Sequence, residues 1–281
     1  GIEWEKTLIG SGDDIPSLVE KGKSAFAGPE IEGKTLGVVG LGAIGVRVAN
    51  AAHHLGMNVI GFDPYLSVDA AWHLTRFAHK ANSLDELLEK ADYITIHVPS
   101  TPSTKGMFNS EAFAKMKKGA RLLNFSRGSL VDENDVQEAI ANGTVATYVT
   151  DFGSEALLKC ENVICLPHLG ASTPESEENC AVMAANEIKD FLENGNIKNS
   201  VNFPECDMGK RTGERITILH KNVTGMIKKI TDALESLNIA NMINKSKGDN
   251  AYTMIDVDGR CDAAAIDAIA SMPDVIKVTL L

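Results

Sequence analysis

Thr35-Leu-Gly-Val-Val-Gly40-Leu-Gly42-Ala-Ile-Gly45, followed eighteen residues later by Asp63 in Ile60-Gly-Phe-Asp-Pro, reads as an apolar strand, a glycine turn, a helix and a second strand ending in an acid. That is the layout of a dinucleotide site. Gly40 permits the tight turn, Gly42 leaves room for a pyrophosphate against the backbone, and Gly45 lets the helix pack closely on the sheet. The free N–H groups of the helix beginning at Ala43 and Ile44 would face the phosphates. Asp63, with Pro64 after it, can accept both hydroxyls of an adenosine ribose. A phosphate on that ribose would be repelled, so the acid favours NAD over NADP.

Working outward, a chain of 281 residues that is 44% hydrophobic is long enough for a well-buried core and for two domains. No run of about twenty apolar residues occurs, and the first residues lack a basic-then-apolar leader pattern, so a cytoplasmic protein with no membrane association is expected. The net charge of -11 disfavours a nucleic-acid partner, because phosphates would meet a repelling surface. Cys160, Cys165, Cys180, Cys206 and Cys261 show neither paired spacing nor an even count, which predicts free thiols and neither disulfides nor a metal site.

Residues 1–30 carry few apolar anchors around a turn at residues 10–14, and read as a linker and remnant of a second domain. Residues 31–172 alternate strand and helix patterns: strands over 36–39, 58–62, 76–79, 93–98, 121–125, 145–150 and 163–166, with helices over 46–55, 83–90, 111–116 and 132–142. Repeated units of this kind give a doubly wound parallel sheet with helices on both faces, an α/β, Rossmann-like architecture. A capped helix over 173–192 and a polar linker to about 204 follow. Residues 205–281 form a smaller unit whose strands and helices run βαββαβ from 213 onward. Its two helices should share one sheet face and leave the other uncovered, which predicts pairing with a second copy.

Ligands in doubly wound sheets sit at the carboxyl ends of the strands, and polar residues collect there. His97, Val98, Pro99 and Thr104 follow one strand and should line the cofactor channel. Phe125, Ser126 and Arg127 follow the next, Asp151 the next, and His168 and Gly170 the last. Hydride transfer to NAD needs an acid or base at the oxygen that exchanges a proton, and an imidazole works in either direction near neutral pH. His168 fits that need. Glu155, in the loop after a neighbouring strand, can reach its other ring nitrogen, Arg127 can clamp a substrate carboxylate, and Asp151 can hold the nicotinamide end.

Three stretches, Gly40-Leu-Gly-Ala-Ile-Gly45, Asn124-Phe-Ser-Arg-Gly-Ser-Leu-Val-Asp-Glu133 and Asn162-Val-Ile-Cys-Leu-Pro-His-Leu-Gly-Ala-Ser-Thr173, resemble the signatures of the D-2-hydroxyacid dehydrogenase family, and the tail resembles an ACT domain. The resemblance implies NAD-dependent oxidation of 3-phospho-D-glycerate to 3-phosphohydroxypyruvate, the first step of L-serine biosynthesis. It further implies His168 as acid-base residue, Glu155 as its partner and Arg127 on the substrate. His220, Asn222 and Asn238 match places where L-serine binds between ACT domains. Family members pair through their cofactor domains, which implies a homodimer or, with the tails, a homotetramer. Another substrate, such as glycerate, or a non-enzymatic NAD sensor are the competing readings. About ninety to a hundred residues of the family's flavodoxin-like substrate domain would precede Gly1, so the chain is expected to be a fragment that binds NAD more readily than it turns over. Two departures stand out: Ala156 replaces the proline usual after the glutamate, and the tail's first helix is about two residues short.

Overall fold

The computed structural model describes residues 1–12 and 14–281; Asp13, inside the turn expected at residues 10–14, lies outside the described residues. Contacts divide the chain into Gly1–Gly170 and Ala171–Leu281. The first unit opens with helices α1 (Ile2–Thr7) and α2 (Ile15–Gly22), neither of which buries a residue. Then come β1 (Thr35–Val39), α3 (Ala43–His54), β2 (Asn58–Phe62), α4 (Val68–His73), β3 (Ala78–Lys80), α5 (Leu84–Lys90) and β4 (Tyr93–Ile96). They are followed by α6 (Ser110–Ala114), β5 (Ala120–Asn124), α7 (Glu133–Ala141), β6 (Val145–Thr150), α8 (Glu155–Lys159) and β7 (Val163–Cys165).

The seven strands form one sheet in the order β3-β2-β1-β4-β5-β6-β7, and every neighbouring pair is parallel. A parallel sheet is covered on both faces, which is why its strands read as apolar runs. One core joins Val38, Val46, Ala49 and Val59 beneath α3, and another joins Leu87, Leu88, Ile94, Leu122, Val136 and Tyr148. The strand order reverses between β1 and β4, and the crevice above that switch point is where such sheets take ligands.

Helix starts follow the side-chain chemistry of their caps. Ser83, Asn109, Asp132 and Thr173 each accept a hydrogen bond from a backbone N–H in the first turn of the helix they precede. The same chemistry produces α4 and α8, which the hydrophobic pattern does not announce: Ser67 and Ser154 cap them. Glu155 therefore begins a helix and is not part of a free loop.

The second unit contains α9 (Pro174–Asn194), β8 (Glu214–Lys221), α10 (Met226–Asp232), β9 (Asn238–Lys247), β10 (Asn250–Asp258), α11 (Ala263–Ala270) and β11 (Val275–Leu280). Its sheet is antiparallel in the order β11-β8-β10-β9, the βαββαβ arrangement of an ACT-like domain. Both α10 and α11 pack on Ile216, Ile218, Ile255 and Val257, on one face as expected.

The expectation that the other face lies bare is corrected. Residues 195–209, a polar linker by sequence, fold back as a strap that places Ile197, Phe203, Cys206 and Met208 on Leu219, Ile243, Tyr252 and Met254. Buried Arg215 fastens it, donating to Asp256 at 2.5 and 2.9 Å and to the carbonyls of Asn194 and Gly209 at 2.8 and 2.9 Å. Helix α10 is short and β9 begins soon after it, because Gly225, at φ 80, directly precedes the first helical residue and Leu234–Leu237 already turn toward the strand. Helix α9 ends at Gly195 in the left-handed region, and buries none of its residues.

Candidate active site

The glycine loop begins the site. Gly40 has φ 91, and a Cβ there would lie 2.7 Å from the His97 carbonyl across the switch point. At Gly45 a Cβ would lie 1.9 Å from the Gly40 carbonyl, so only hydrogen allows α3 to seat against the turn. Gly42 is different, since a Cβ there would meet nothing within 4 Å. Its space opens outward, toward whatever approaches the loop. No side chain caps α3, which leaves the first-turn N–H groups of Ala43 and Ile44 available to an anion.

Asp63 ties the acid strand to this loop. Its Oδ2 accepts from the Leu41 N–H and its Oδ1 from the Tyr65 N–H, both at 2.8 Å. Each carboxylate oxygen retains a further lone pair, enough to accept the ribose hydroxyls. Gly40, Gly42, Asp63, Pro64, His97, Val98, Pro99 and Thr104 line one cavity of about 660 Å³. Tyr65, Thr101 and Met107 also line it and were not singled out by sequence, although Tyr65 lies only two residues beyond the acid. Burial holds the His97 imidazole below its ordinary pKa, and its Nε2 lies 2.9 Å from Thr95 Oγ1.

Phe125, Ser126, Arg127, Asp151, His168 and Gly170 do not line that cavity; they occupy the ends of β5, β6 and β7 or the segments just beyond. Ser126 Oγ donates to the Val98 carbonyl at 2.7 Å, joining this group to the cavity wall. Fully buried Asn124 donates to the Arg127 carbonyl at 2.9 Å and so shapes the turn that carries the guanidinium. The exposed guanidinium itself forms no ion pair among the described residues and donates to the Ser126 carbonyl. It is free to meet a carboxylate.

His168 is oriented by Asp151. Their Nδ1 and Oδ2 atoms lie 2.7 Å apart, with the Asp151 side chain 8% and the His168 side chain 53% exposed. The structure does not bring Glu155 to the imidazole: its carboxylate, 83% exposed, pairs with Lys159 one turn along α8. The Ser154 cap makes Glu155 the first residue of that helix. An aspartate on Nδ1 keeps a proton there and leaves Nε2 as the basic position.

Asp151 Oδ1 is buried and finds no hydrogen-bond partner. A desolvated carboxylate oxygen without a donor is costly, and an amide NH2 of a ligand would satisfy it. That orphan, the open Gly42 and the acceptors on Asp63 fit the carboxamide, pyrophosphate and ribose of a nicotinamide dinucleotide respectively. Among the described residues no group of His, Cys, Asp or Glu side chains is placed to hold a metal ion, and no helix is long and apolar enough to cross a membrane.

In the ACT-like unit, His220 is buried with Nδ1 at 2.8 Å from the Lys221 carbonyl and Nε2 at 2.8 Å from Thr253 Oγ1. Asn222 donates to the Gly248 carbonyl and Asn238 to Asp258. His220 registers with Ala251 and Asn238 with Asp258. These positions are seven residues apart along β10, or roughly 24 Å at the rise of a strand. One copy of the unit therefore does not gather the three side chains into one pocket.

Residues 13–170 match the family described as D-isomer specific 2-hydroxyacid dehydrogenase, NAD binding domain. The chain is 33% identical over 252 residues to D-3-phosphoglycerate dehydrogenase 2 of Saccharomyces cerevisiae, covering 81% of this chain and 53% of that protein. It is 41% identical over 191 residues to D-3-phosphoglycerate dehydrogenase of Bacillus subtilis, covering 66% of this chain and 36% of that one. The chain thus spans about half the yeast relative and about a third of the bacterial one. Among solved structures it is similar to a glyoxylate reductase from Paecilomyes thermophila, with TM-score 0.56 and 28% identity over 66% of this chain and 58% of that one. It is also similar to the apo-structure of D-lactate dehydrogenase from Escherichia coli, with TM-score 0.53 and 28% identity over 63% of this chain and 59% of that one.

Proposed function

The chain belongs to the family of D-isomer specific 2-hydroxyacid dehydrogenases, and on that premise we propose that it serves the NAD-dependent oxidation of 3-phospho-D-glycerate to 3-phosphohydroxypyruvate. The observation that carries the catalytic part is the 2.7 Å approach of Asp151 Oδ2 to His168 Nδ1 at the carboxyl edge of the sheet that also holds the glycine loop and Asp63. The ACT-like unit and the phosphoglycerate dehydrogenase relatives support the choice of substrate.

In this reading the three glycines hold the pyrophosphate, Asp63 the ribose and Asp151 Oδ1 the carboxamide. NAD, when bound, supplies the acceptor for the hydride that leaves the hydroxyl-bearing carbon. Arg127 binds the substrate carboxylate through two N–H donors, which fixes the face of that carbon presented to the cofactor. His168 Nε2 removes the hydroxyl proton as the carbonyl forms, and Asp151 Oδ2 stabilises the imidazolium that results. In the reverse direction the same imidazolium returns the proton. The ACT-like unit serves as a regulatory module for L-serine, with His220, Asn222 and Asn238 at the junction between two copies.

Rates with 3-phospho-D-glycerate, D-glycerate and D-lactate, measured side by side with NAD and NADP, test this assignment. Oxidation of the phosphorylated acid at least about tenfold faster than the other two, with NAD preferred, is the expected result. Equal rates for glycerate and phosphoglycerate would remove the substrate assignment and leave a dehydrogenase of another hydroxy acid.

A further inference from the structure

A single polar contact does not fix an imidazole. With Nδ1 tied to Asp151 Oδ2, the His168 ring can still turn about that contact, and Nε2 sweeps an arc as it does. More than half of the side chain is open to solvent, so little else restrains it. One packing contact does bear on the ring: the Phe152 ring centroid lies 4.9 Å from that of His168, with the planes tilted by 44°.

Phe152 is itself held from two sides. Its N–H donates to Thr150 Oγ1 at 3.2 Å, and Thr150 is fully buried at the end of β6. On the other side stands Gly128, where a Cβ would lie 3.1 Å from Phe152 Cβ and 3.3 Å from Cγ. Those are atoms close to the backbone, which cannot swing away as the tip of a long side chain does. Gly128 directly follows Arg127, so the turn that carries the guanidinium is in contact with the ring beside the imidazole.

We propose that Phe152 is a positioning residue that sets the plane of the His168 imidazole, and that the glycine at position 128 exists to admit it. Asp151 meets the ring at Nδ1 and the tilted Phe152 ring packs beside it; two restraints from different side chains are enough to aim Nε2. The proposal deepens the dehydrogenase reading and rests on His168 being its acid-base group.

The test compares F152A and F152Y with the unsubstituted protein by two measurements: steady-state kinetics with 3-phospho-D-glycerate and NAD, and the rate at which diethylpyrocarbonate modifies His168, followed by mass spectrometry without cofactor. F152A should lower kcat about tenfold or more while the Kd for NAD stays within about twofold, because misaiming a proton acceptor affects the transition state and not cofactor binding. Modification of His168 should speed up about threefold or more as the ring is uncovered. F152Y, which keeps the aromatic face, should restore both values to within about threefold. Where the alanine variant does not fold, F152L preserves apolar volume without a planar face and should shift both values in the same direction. Unchanged labelling of His168 in F152A or F152L would overturn the proposal. Labelling that responds as expected, in a protein inactive on every hydroxy acid, would uphold the positioning role and count against the dehydrogenase reading alone.

Discussion

Asp151 and His168 meet through an Oδ2 to Nδ1 contact of 2.7 Å, while the second oxygen of the same carboxylate is buried without a partner. One oxygen of this side chain thus faces the imidazole, and the other is the buried acceptor left without a donor. The acid pairing that the family resemblance assigns to Glu155 is made by a residue four positions earlier, at the end of β6.

That geometry predicts opposite outcomes for two conservative substitutions. Asp151→Asn should lower kcat/KM about 100-fold or more, because an amide in place of the carboxylate neither holds the tautomer nor balances the imidazolium. Glu155→Gln should stay within about threefold, since its exposed carboxylate only pairs with Lys159. The reverse ranking in steady-state assays would return Glu155 to the site.

Substitutions at Gly42 and Gly45 should separate binding from folding. Gly42→Ala adds a methyl group into open space at a backbone conformation alanine tolerates, so Tm should hold while the calorimetric Kd for NAD rises about tenfold or more. Gly45→Ala drives a methyl group to 1.9 Å from the Gly40 carbonyl and should lower stability by about 1–3 kcal/mol. A Gly42→Ala protein that binds NAD normally would contradict the placement of the pyrophosphate.

The fold of the first unit is largely legible along the chain because its signals are local. The glycine loop, Asp63 and the strands β1, β2, β4, β5 and β6 each announce themselves within a few residues. Short capped helices do not. Ser67 and Ser154 start α4 and α8 in stretches whose composition reads as loop, and the second of these removes Glu155 from His168. The Asp151–His168 contact and the packing of Phe152 depend on two neighbouring strands, β6 and β7, ending at matching heights, which no spacing rule expresses. The strap over the ACT-like sheet is hidden for a similar reason. Ile197, Phe203, Cys206 and Met208 are scattered among polar residues, and only the returning chain gathers them.

The buried clamp in the second unit should be sensitive to its acid. Asp256→Ala leaves the Arg215 guanidinium, 1% exposed, without its carboxylate and should destabilise that unit by about 3–5 kcal/mol. The thiol of fully buried Cys206, which lies in the strap, gives a direct readout. Its reaction with a thiol reagent should accelerate in the variant, and an unchanged rate would mean that the strap is held without the clamp.

His97 supplies a pH signature. Its pKa in the folded protein is below the ordinary value near 6.5 because burial disfavours the charged ring, so the unfolded chain binds the proton more readily. The stability this group contributes is fully present above pH 6.5 and is lost as pH falls from there through the folded value. Tm should therefore drop more between pH 7.5 and 5.5 in the unsubstituted protein than in His97→Asn, which keeps a polar group beside Thr95 but does not titrate. Parallel Tm curves would show that His97 is not linked to folding in this range.

The account rests above all on His168 as the proton acceptor of a bound hydroxy acid, and the most direct measurement is turnover of 3-phospho-D-glycerate by His168→Asn alongside its calorimetric Kd for NAD. We expect kcat to fall about 1,000-fold or more with the Kd within about twofold of the unsubstituted protein. Turnover at the original rate with NAD still bound would contradict the assignment.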